Sequence, residues 1–475
     1  MALIVALAVI FEAAGVAGEK DSGPALHFNK QKVLGEINRF LSSRTASNGL
    51  VASFGDTAPY TFSIGTGKFH ERWYGKLGAG DDQAYTYDMA LAAIGYLLEG
   101  KTEQAEKILD AMETDFPQLK NGIPGLFNSY LVTSRIPVED LQPGVDGNRI
   151  HAGPTLWVAL AALNHVKLQR NTRYLGFALD IVNWSRTRLT YFRFPDGERG
   201  AISMGMGWGP DWSKIFATEH NVDYYAVLRM LHGIYSESPE EVRAIFAEKK
   251  ITDAWLQDEM AHIGRWLKEV PFDNYNYCFR AGFALGNLDR TKVVDGTSWG
   301  IGGVGPENLE ALGIDLDRLM ESTEKHLRCS YELPGGGLVY GFDLTDPEGY
   351  GHHRQRLIWF EATGQMIVAY GELARHFGRK GEPDKARKYE AKAVEYVNSM
   401  HEFQKAYGLK GCLPYMSVNP GPKQILKTMK DEWEIPRARD QDVWVGSLSS
   451  SIWMLYCLHD FYNPMKWEKK PGKSR

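Results

Sequence analysis

Carboxylates recur in this sequence where long apolar stretches begin. Asp88 stands in Tyr85-Thr-Tyr-Asp88, Glu219 and Asp223 in Thr218-Glu-His-Asn-Val-Asp223, and Asp295 in Asp295-Gly-Thr-Ser. Glu361 stands in Trp359-Phe-Glu361-Ala-Thr and Asp442 in Asp442-Val-Trp444, with Asp81, Asp82 and Asp440 just outside such starts. A helix start presents unpaired N–H groups and a partial positive charge, so any one of these acids fits a routine cap or first-turn position. Five of six apolar starts bringing acids to one rim exceeds what capping requires. Two carboxyl groups can divide the work of breaking a glycosidic bond: one protonates the leaving oxygen, the other activates water or attacks carbon. Asp88, Glu219, Asp223, Glu361 and Asp442 are therefore the catalytic candidates. Asp295 is a weaker one, because Asp-Gly-Thr-Ser also reads as a plain turn and cap.

The densest motif surrounds Glu219. Four-residue spacing puts Glu219 with Asp223, His220 with Tyr224 and Asn221 with Tyr225 on shared helix faces. The loop before it, Gly205-Met-Gly-Trp208-Gly-Pro-Asp-Trp212, is rich in glycine and tryptophan. Sugar rings bind through stacking on aromatic faces and hydrogen bonds to hydroxyls. The substrate-binding candidates are thus His220, Asn221, Tyr224, Tyr87 and Arg149, with Trp208, Trp212, Trp299, Trp359 and Trp444 for stacking. An aromatic neighbour also desolvates a carboxyl, which favours Glu361 as a proton donor; pairing of Glu361 with His352, His353 or Arg354 is the alternative. Adjacent His352 and His353 cannot easily share one ion, and no other metal or cofactor is expected.

These residues need elements to hold them. Related segments open at 85, 150, 219, 295, 357 and 442, a loose period of ~70 residues. Each combines a polar residue, small residues and an aromatic with a long apolar run. Between them lie helices with one charged face, at 31–42, 102–115, 172–187, 253–270, 315–328 and 384–403. Apolar helices alternating with two-faced ones have a simple packing solution: an inner ring shielded by an outer ring. The expected fold is all-α, an (α/α)6 toroid with inner helices near 85–99, 150–167, 219–235, 295–312, 357–374 and 444–461. Gly153, Gly300, Gly364 and Ser449 to Ser451 would let neighbouring inner helices approach closely. Long segments at 49–82, 191–218, 331–356 and 408–441 lead into inner-helix starts and crowd one face, as functional loops do. Gly335-Gly-Gly-Leu-Val-Tyr reads as a hairpin within one of them.

Composition narrows the field. The net charge of −5 has no basic stripe, which disfavours nucleic acid as a partner. The apolar run Ala2 to Phe11 is too short to span a bilayer and is followed by small residues, so 1–18 reads as a secretory signal lacking a basic start. Residues 24–465 then form one catalytic domain and 466–475 a basic disordered tail, on a monomer that is secreted or periplasmic. Cys278, Cys329, Cys412 and Cys457 form no CxxC pair; Cys457 reads as a buried thiol, and Cys329 with Cys412 is an open possibility.

Thr218-Glu-His-Asn-x-x-Asp, Trp359-Phe-Glu-Ala-Thr and Ser449-Ser-Ser-Ile-Trp…Asn463-Pro resemble a secreted bacterial group of the six-hairpin glycosidase superfamily, which includes glucoamylase-like hydrolases and unsaturated-uronyl hydrolases. The resemblance runs from about Leu34 to Pro464. It implies the toroid and a poly- or oligosaccharide substrate, but no reaction. A glycoside hydrolase is the leading expectation. A polysaccharide lyase is the alternative, with His220 or Tyr224 as base and Asn221 or Arg149 at the uronate. A sugar epimerase and an inactive glycan-binding toroid follow.

Overall fold

The computed structural model describes residues 25–55, 83–116, 125–135, 150–206, 212–346, 356–417 and 446–468. The expected signal at 1–18, together with Asp81, Asp82, Arg149, Trp208, His352, His353, Arg354, Asp440, Asp442 and Trp444, lies outside them.

The helices alternate as the periodicity requires. Among the described residues α1 (Lys30–Arg44) is followed by α2 (Thr86–Leu98), α3 (Thr102–Asp115), α4 (Ala152–Gln169) and α5 (Leu175–Arg188). Next come α6 (Thr218–Glu237), a short α7 (Glu240–Glu248) that the sequence did not announce, and α8 (Asp253–Glu269). The chain continues through α9 (Val294–Trp299), α10 (Pro306–Ala311), α11 (Leu316–Leu327), α12 (Phe360–Arg379), α13 (Pro383–Ala406) and α14 (Leu448–Leu458). Every residue of α14 is buried, and α4 is buried from Thr155 to Lys167, whereas α3 and α13 bury one stripe each. That difference is the apolar-all-round versus two-faced distinction made physical.

The inner helices close a circle: α2 packs on α4, α4 on α6, α6 on α9, α9 on α12, α12 on α14, and α14 on α2. Outside them α3, α5, α8, α11 and α13 each cover the inner helix to which they are joined in a hairpin, while α1 covers α14. The architecture is thus the expected all-α (α/α)6 toroid. Close approach depends on missing side chains. A Cβ on Gly364 would lie 2.6 Å from the Trp453 Cβ, and one on Gly153 would lie 2.4 Å from the His220 ring.

The fourth inner helix departs from the expected continuous 295–312 run. It breaks into α9, a π-helical turn over Gly300–Val304, and α10. Gly305 adopts φ 93° and donates to Gly300 O at 3.1 Å, and Pro306 starts α10. The glycines lower helix propensity, and the extra residue lets Gly303 seat against Val222. Arg229 covers the exposed carbonyls, donating to Gly302 O and Val304 O at 2.8 Å each.

Short strands lead into the inner helices at one end. β1 (Phe54–Gly55) pairs with β14 (Gly446–Ser447), β2 (Gln83–Tyr85) with β3 (Ser129–Leu131), and β4 (Ile150–His151) with β7 (Gly205–Met206). β5 (Tyr191–Arg193) and β6 (Arg199–Ile202) form a hairpin, and β8 (Ile215–Ala217) joins β9 (Phe272–Asp273), β10 (Cys278–Ala284) and β11 (Asn287–Lys292). β12 (Arg328–Glu332) and β13 (Leu338–Phe342) are the hairpin expected around Gly335. All four cysteines are buried thiols outside any disulfide, so Cys329 and Cys412 are not bridged to each other. No helix among the described residues is long and apolar enough to cross a membrane.

The opposite end is plugged by the segment after α14. Asn164 donates to Pro464 O at 2.7 Å, Lys167 to Lys466 O at 2.8 Å, and Arg229 to Met465 O at 3.1 Å. Lys466 binds buried Glu372 at 2.8 Å, and Trp467 fills the space above Gly233. The expected tail boundary at 466 therefore moves outward: Lys466 and Trp467 pack on the domain, because Lys167 holds the Lys466 carbonyl and the Trp467 ring lies over Gly233.

The ring makes close approach testable. Gly364→Val should lower unfolding free energy by about 1–3 kcal/mol in urea titrations, because α12 cannot move away from Trp453 without opening the ring. Gly176→Ala on α5, where nothing lies within 4 Å of the new Cβ, should be neutral or stabilise by about 0.4–1 kcal/mol. Equal costs at both sites would refute close packing as the cause.

Candidate active site

Among the described residues, four of the six inner-helix starts deliver an acid to the same place. Asp88 and Glu361 sit in the first turns of α2 and α12, Glu219 in the first turn of α6 and Asp295 in that of α9; Asp223 is one turn further into α6. Asp88, Asp223, Asp295 and Glu361 are buried, while Glu219 is partly exposed. Their charges feel one another. Glu361 raises the pKa of Asp88, Glu219 and Asp295, and Glu219 raises those of Asp223 and Asp295.

Burial is the largest cause of every one of these shifts. It pushes Asp88 to about 8 and Glu219 to about 7, and lifts Asp223 and Asp295 well above the carboxylate range. Glu361 is also raised by burial, to about 7, but three donors pull it back. Ser449 Oγ donates to Oε2 at 2.7 Å and Gln365 Nε2 to Oε1 at 3.3 Å. The third is the Tyr87 hydroxyl, whose oxygen accepts the Trp453 indole N–H at 2.9 Å, leaving its own proton for Glu361. Glu219 has no such donor among the described residues. Asp223 Oδ1 and Oδ2 and Asp295 Oδ1 are likewise without hydrogen-bond partners there.

The binding candidates divide. Tyr87, Trp299 and His220 join the acids. Tyr87 meets Trp157 edge-on at 5.2 Å, and Trp157 meets Trp299 at 5.5 Å and Trp453 at 5.9 Å, so aromatic rings pack together beside the acids. His220 gives Nδ1 to Met204 O at 3.1 Å, leaving Nε2 toward Gly153, and burial lowers its pKa to about 4. Trp212 stands edge-on to His151 at 4.4 Å, and Trp359 packs on Tyr415 at 5.3 Å. Asn221 and Tyr224 do not face the acids. The Asn221 amide is committed to Ile202 and Ala217, bracing β6 against α6, and Tyr224 points outward to Glu259.

Tyr415 was missed, although its hydroxyl feels Glu361, Asp88, Asp295 and Glu219 together; it lies in an aperiodic loop that carries no signal. Trp157 and Trp453 read in sequence as core filling, and Ser449 as a small packing residue.

No family model and no curated protein matches this sequence. Solved structures do match in shape. An alpha-mannanase of glycoside hydrolase family 76 from Bacteroides thetaiotaomicron has a TM-score of 0.54 over 92% of this chain and 96% of its own, at 10% identity. A glycosidase in complex with glucose has 0.51 over 91% and 97%, at 11% identity. A sugar epimerase from a ruminal bacterium has 0.52 over 90% and 98%, at 10% identity. The shared architecture is the (α/α)6 toroid. At such identities the likeness establishes the toroid, and the chemistry must be read from the site.

The raised carboxyls have a consequence for stability. A group whose pKa rises on folding holds its proton more tightly in the native state, so its contribution is full below the unfolded pKa and is lost as pH climbs through the folded one. With Glu219 and Glu361 at about 7 and Asp88 at about 8, unfolding free energy should fall from about pH 4 to about pH 8. Glu219→Gln should match the parent at the acid end and exceed it by on the order of 1 kcal/mol at the alkaline end. Denaturant titrations across pH check this; parallel curves would refute it.

Proposed function

We propose that the protein is a glycoside hydrolase in which Glu219 is the general acid and Glu361 its ionised partner. One observation carries the assignment. Both carboxyls sit near neutrality at the same end of the ring, yet only Glu361 has donors on both oxygens. A carboxylate that accepts at both oxygens is the form such donors stabilise, whereas an unbonded Glu219 is held neutral at little cost. The charge of Glu361 raises the pKa of Glu219, so the negative charge of the two rests on Glu361. Glu219 then passes its proton to the leaving oxygen as the C–O bond breaks, and Glu361 activates water or attacks the anomeric carbon. Glycosidases and an alpha-mannanase among the structural neighbours support this reading.

An epimerase is favoured by one feature, the unengaged Nε2 of His220. Its pKa of about 4 makes it a weak base for taking a proton from carbon, so hydrolysis ranks first.

A panel of neutral oligosaccharides, with reducing ends and product identity read together, tests the assignment. Glu361→Gln and Glu219→Gln should each lower kcat roughly 10²–10⁴-fold on natural linkages. On nitrophenyl glycosides, whose leaving group needs no proton, Glu219→Gln should recover most of the rate while Glu361→Gln should not. The parent should show a bell-shaped pH profile, and Glu219→Gln should lose its alkaline limb. Isomerised sugar without cleavage, unsaturated product ends, or full activity in both variants would overturn the reading.

A further inference from the structure

The three donors around Glu361 are not equally committed to it. The Ser449 hydroxyl has a second acceptor in Ser447 Oγ, 3.1 Å away. The Gln365 amide is backed by Ser298, whose hydroxyl lies 3.2 Å from Gln365 Oε1 and 3.3 Å from Val294 O. If Glu361 took up a proton, that amide could rotate to accept it. Ser298 would then accept from Gln365 Nε2 and donate to Val294 O instead. On these two sides a charged and a neutral Glu361 can both be satisfied.

Tyr87 differs. Its oxygen accepts the Trp453 indole N–H at 2.9 Å, and an indole nitrogen can only donate. The phenol keeps its own proton, since burial raises its pKa well above the ordinary value, and directs it to Glu361. With its oxygen already bonded, Tyr87 is a poor acceptor for a protonated Glu361. Trp453 has no room to turn, for it is 2% exposed with its ring edge-on to Trp157 at 5.9 Å and to Tyr456 at 5.3 Å. Among the described residues the titratable groups that feel Glu361 are Tyr87 and Asp88 of α2, Glu219 of α6, Asp295 of α9 and Tyr415 of the segment after α13. All are acids and none lends Glu361 a positive charge, so hydrogen bonds are left to oppose burial. Resting on the hydrolase reading, we propose that Trp453 is a positioning residue of the reaction: acting through Tyr87, it fixes the direction of the phenolic proton and thereby keeps Glu361 the ionised partner.

Two replacements remove the indole N–H: Trp453→Phe, and site-specific exchange of Trp453 for benzothienylalanine. The second keeps the ring size, so the test survives if Phe leaves a destabilising cavity. Infrared titration of the protonated Glu361 carboxyl, identified as the band missing in Glu361→Gln, reads its charge without any substrate. Either replacement should move that titration up by about one pH unit, on the order of tenfold in proton affinity. In the Tyr87→Phe background, where the titration is already raised, replacing Trp453 should move it no further. Ser298→Ala should leave it in place, because that hydroxyl serves both states of Glu361. On the oligosaccharide that the parent cleaves, the acid limb of kcat/KM should rise in pH by the same amount, which a merely structural tryptophan would not produce. An unmoved titration in the benzothienylalanine protein, a shift that persists in full without the Tyr87 hydroxyl, or an equal shift in Ser298→Ala would overturn the inference. A titration that moves as expected in a protein that cleaves no glycan refutes the hydrolase reading and spares the role of Trp453. Cleavage with an unmoved titration does the reverse.

Discussion

The ring can close only where the beginning and end of the chain complete one hairpin. α1 covers α14, β1 ladders with β14, Leu448 N donates to Ser53 O at 2.8 Å, and the Tyr456 hydroxyl donates to Leu91 O at 2.7 Å. Once closed, the circle forces all six inner helices to start at one face. Their unpaired N–H groups and positive dipole ends meet the acids there. Their carbonyl ends meet Lys167, Arg229, Arg375 and Lys466 at the plugged face. There Glu372, bonded to Arg375 and Lys466, has its pKa lowered to about 2 although burial opposes it. The molecule is thus polarised along its axis by helix direction alone.

At the mouth two forces act on each carboxyl in opposite directions. A helix start favours the anion, and desolvation favours the acid. Burial wins at Asp88, Glu219, Asp223 and Asp295, where few donors offset it. At Glu361 three side-chain donors contend with burial instead. One architecture therefore yields two kinds of carboxyl, separated by what hydrogen-bonds to them rather than by position on a helix.

Much of this was legible because periodicity reports burial directly. The apolar stretches beginning at 85, 150, 219, 357 and 442 could not be surface helices, and acids at their starts had to share a rim once the helices were parallel. What depends on neighbours far along the chain was not legible. Nothing local says that Asn221 is occupied by Ile202 or that Tyr224 turns toward Glu259. The π turn at Gly300–Val304 looked like plain helix, because its cause, the approach of Gly303 to Val222, lies in another hairpin. Lys466 and Trp467 looked like a solvated tail, because residues near an end carry no sign that Lys167 binds the Lys466 carbonyl or that Gly233 receives the Trp467 ring. Tyr415 gave no periodic signal at all.

Closure also reaches the chemistry. Groups that oppose burial at Glu361 come from the helices on either side of the seam: Ser449 from α14, and Tyr87 from α2, oriented by Trp453 of α14. A slip at the seam would withdraw the Ser449 hydroxyl from Oε2 and free the Tyr87 proton to point elsewhere. Glu361 would then face burial with Gln365 alone and take up a proton, as Asp88 does with only Ser53 to oppose burial. The proposed distinction between proton donor and ionised partner therefore depends on the closed ring, and no single hairpin contains it.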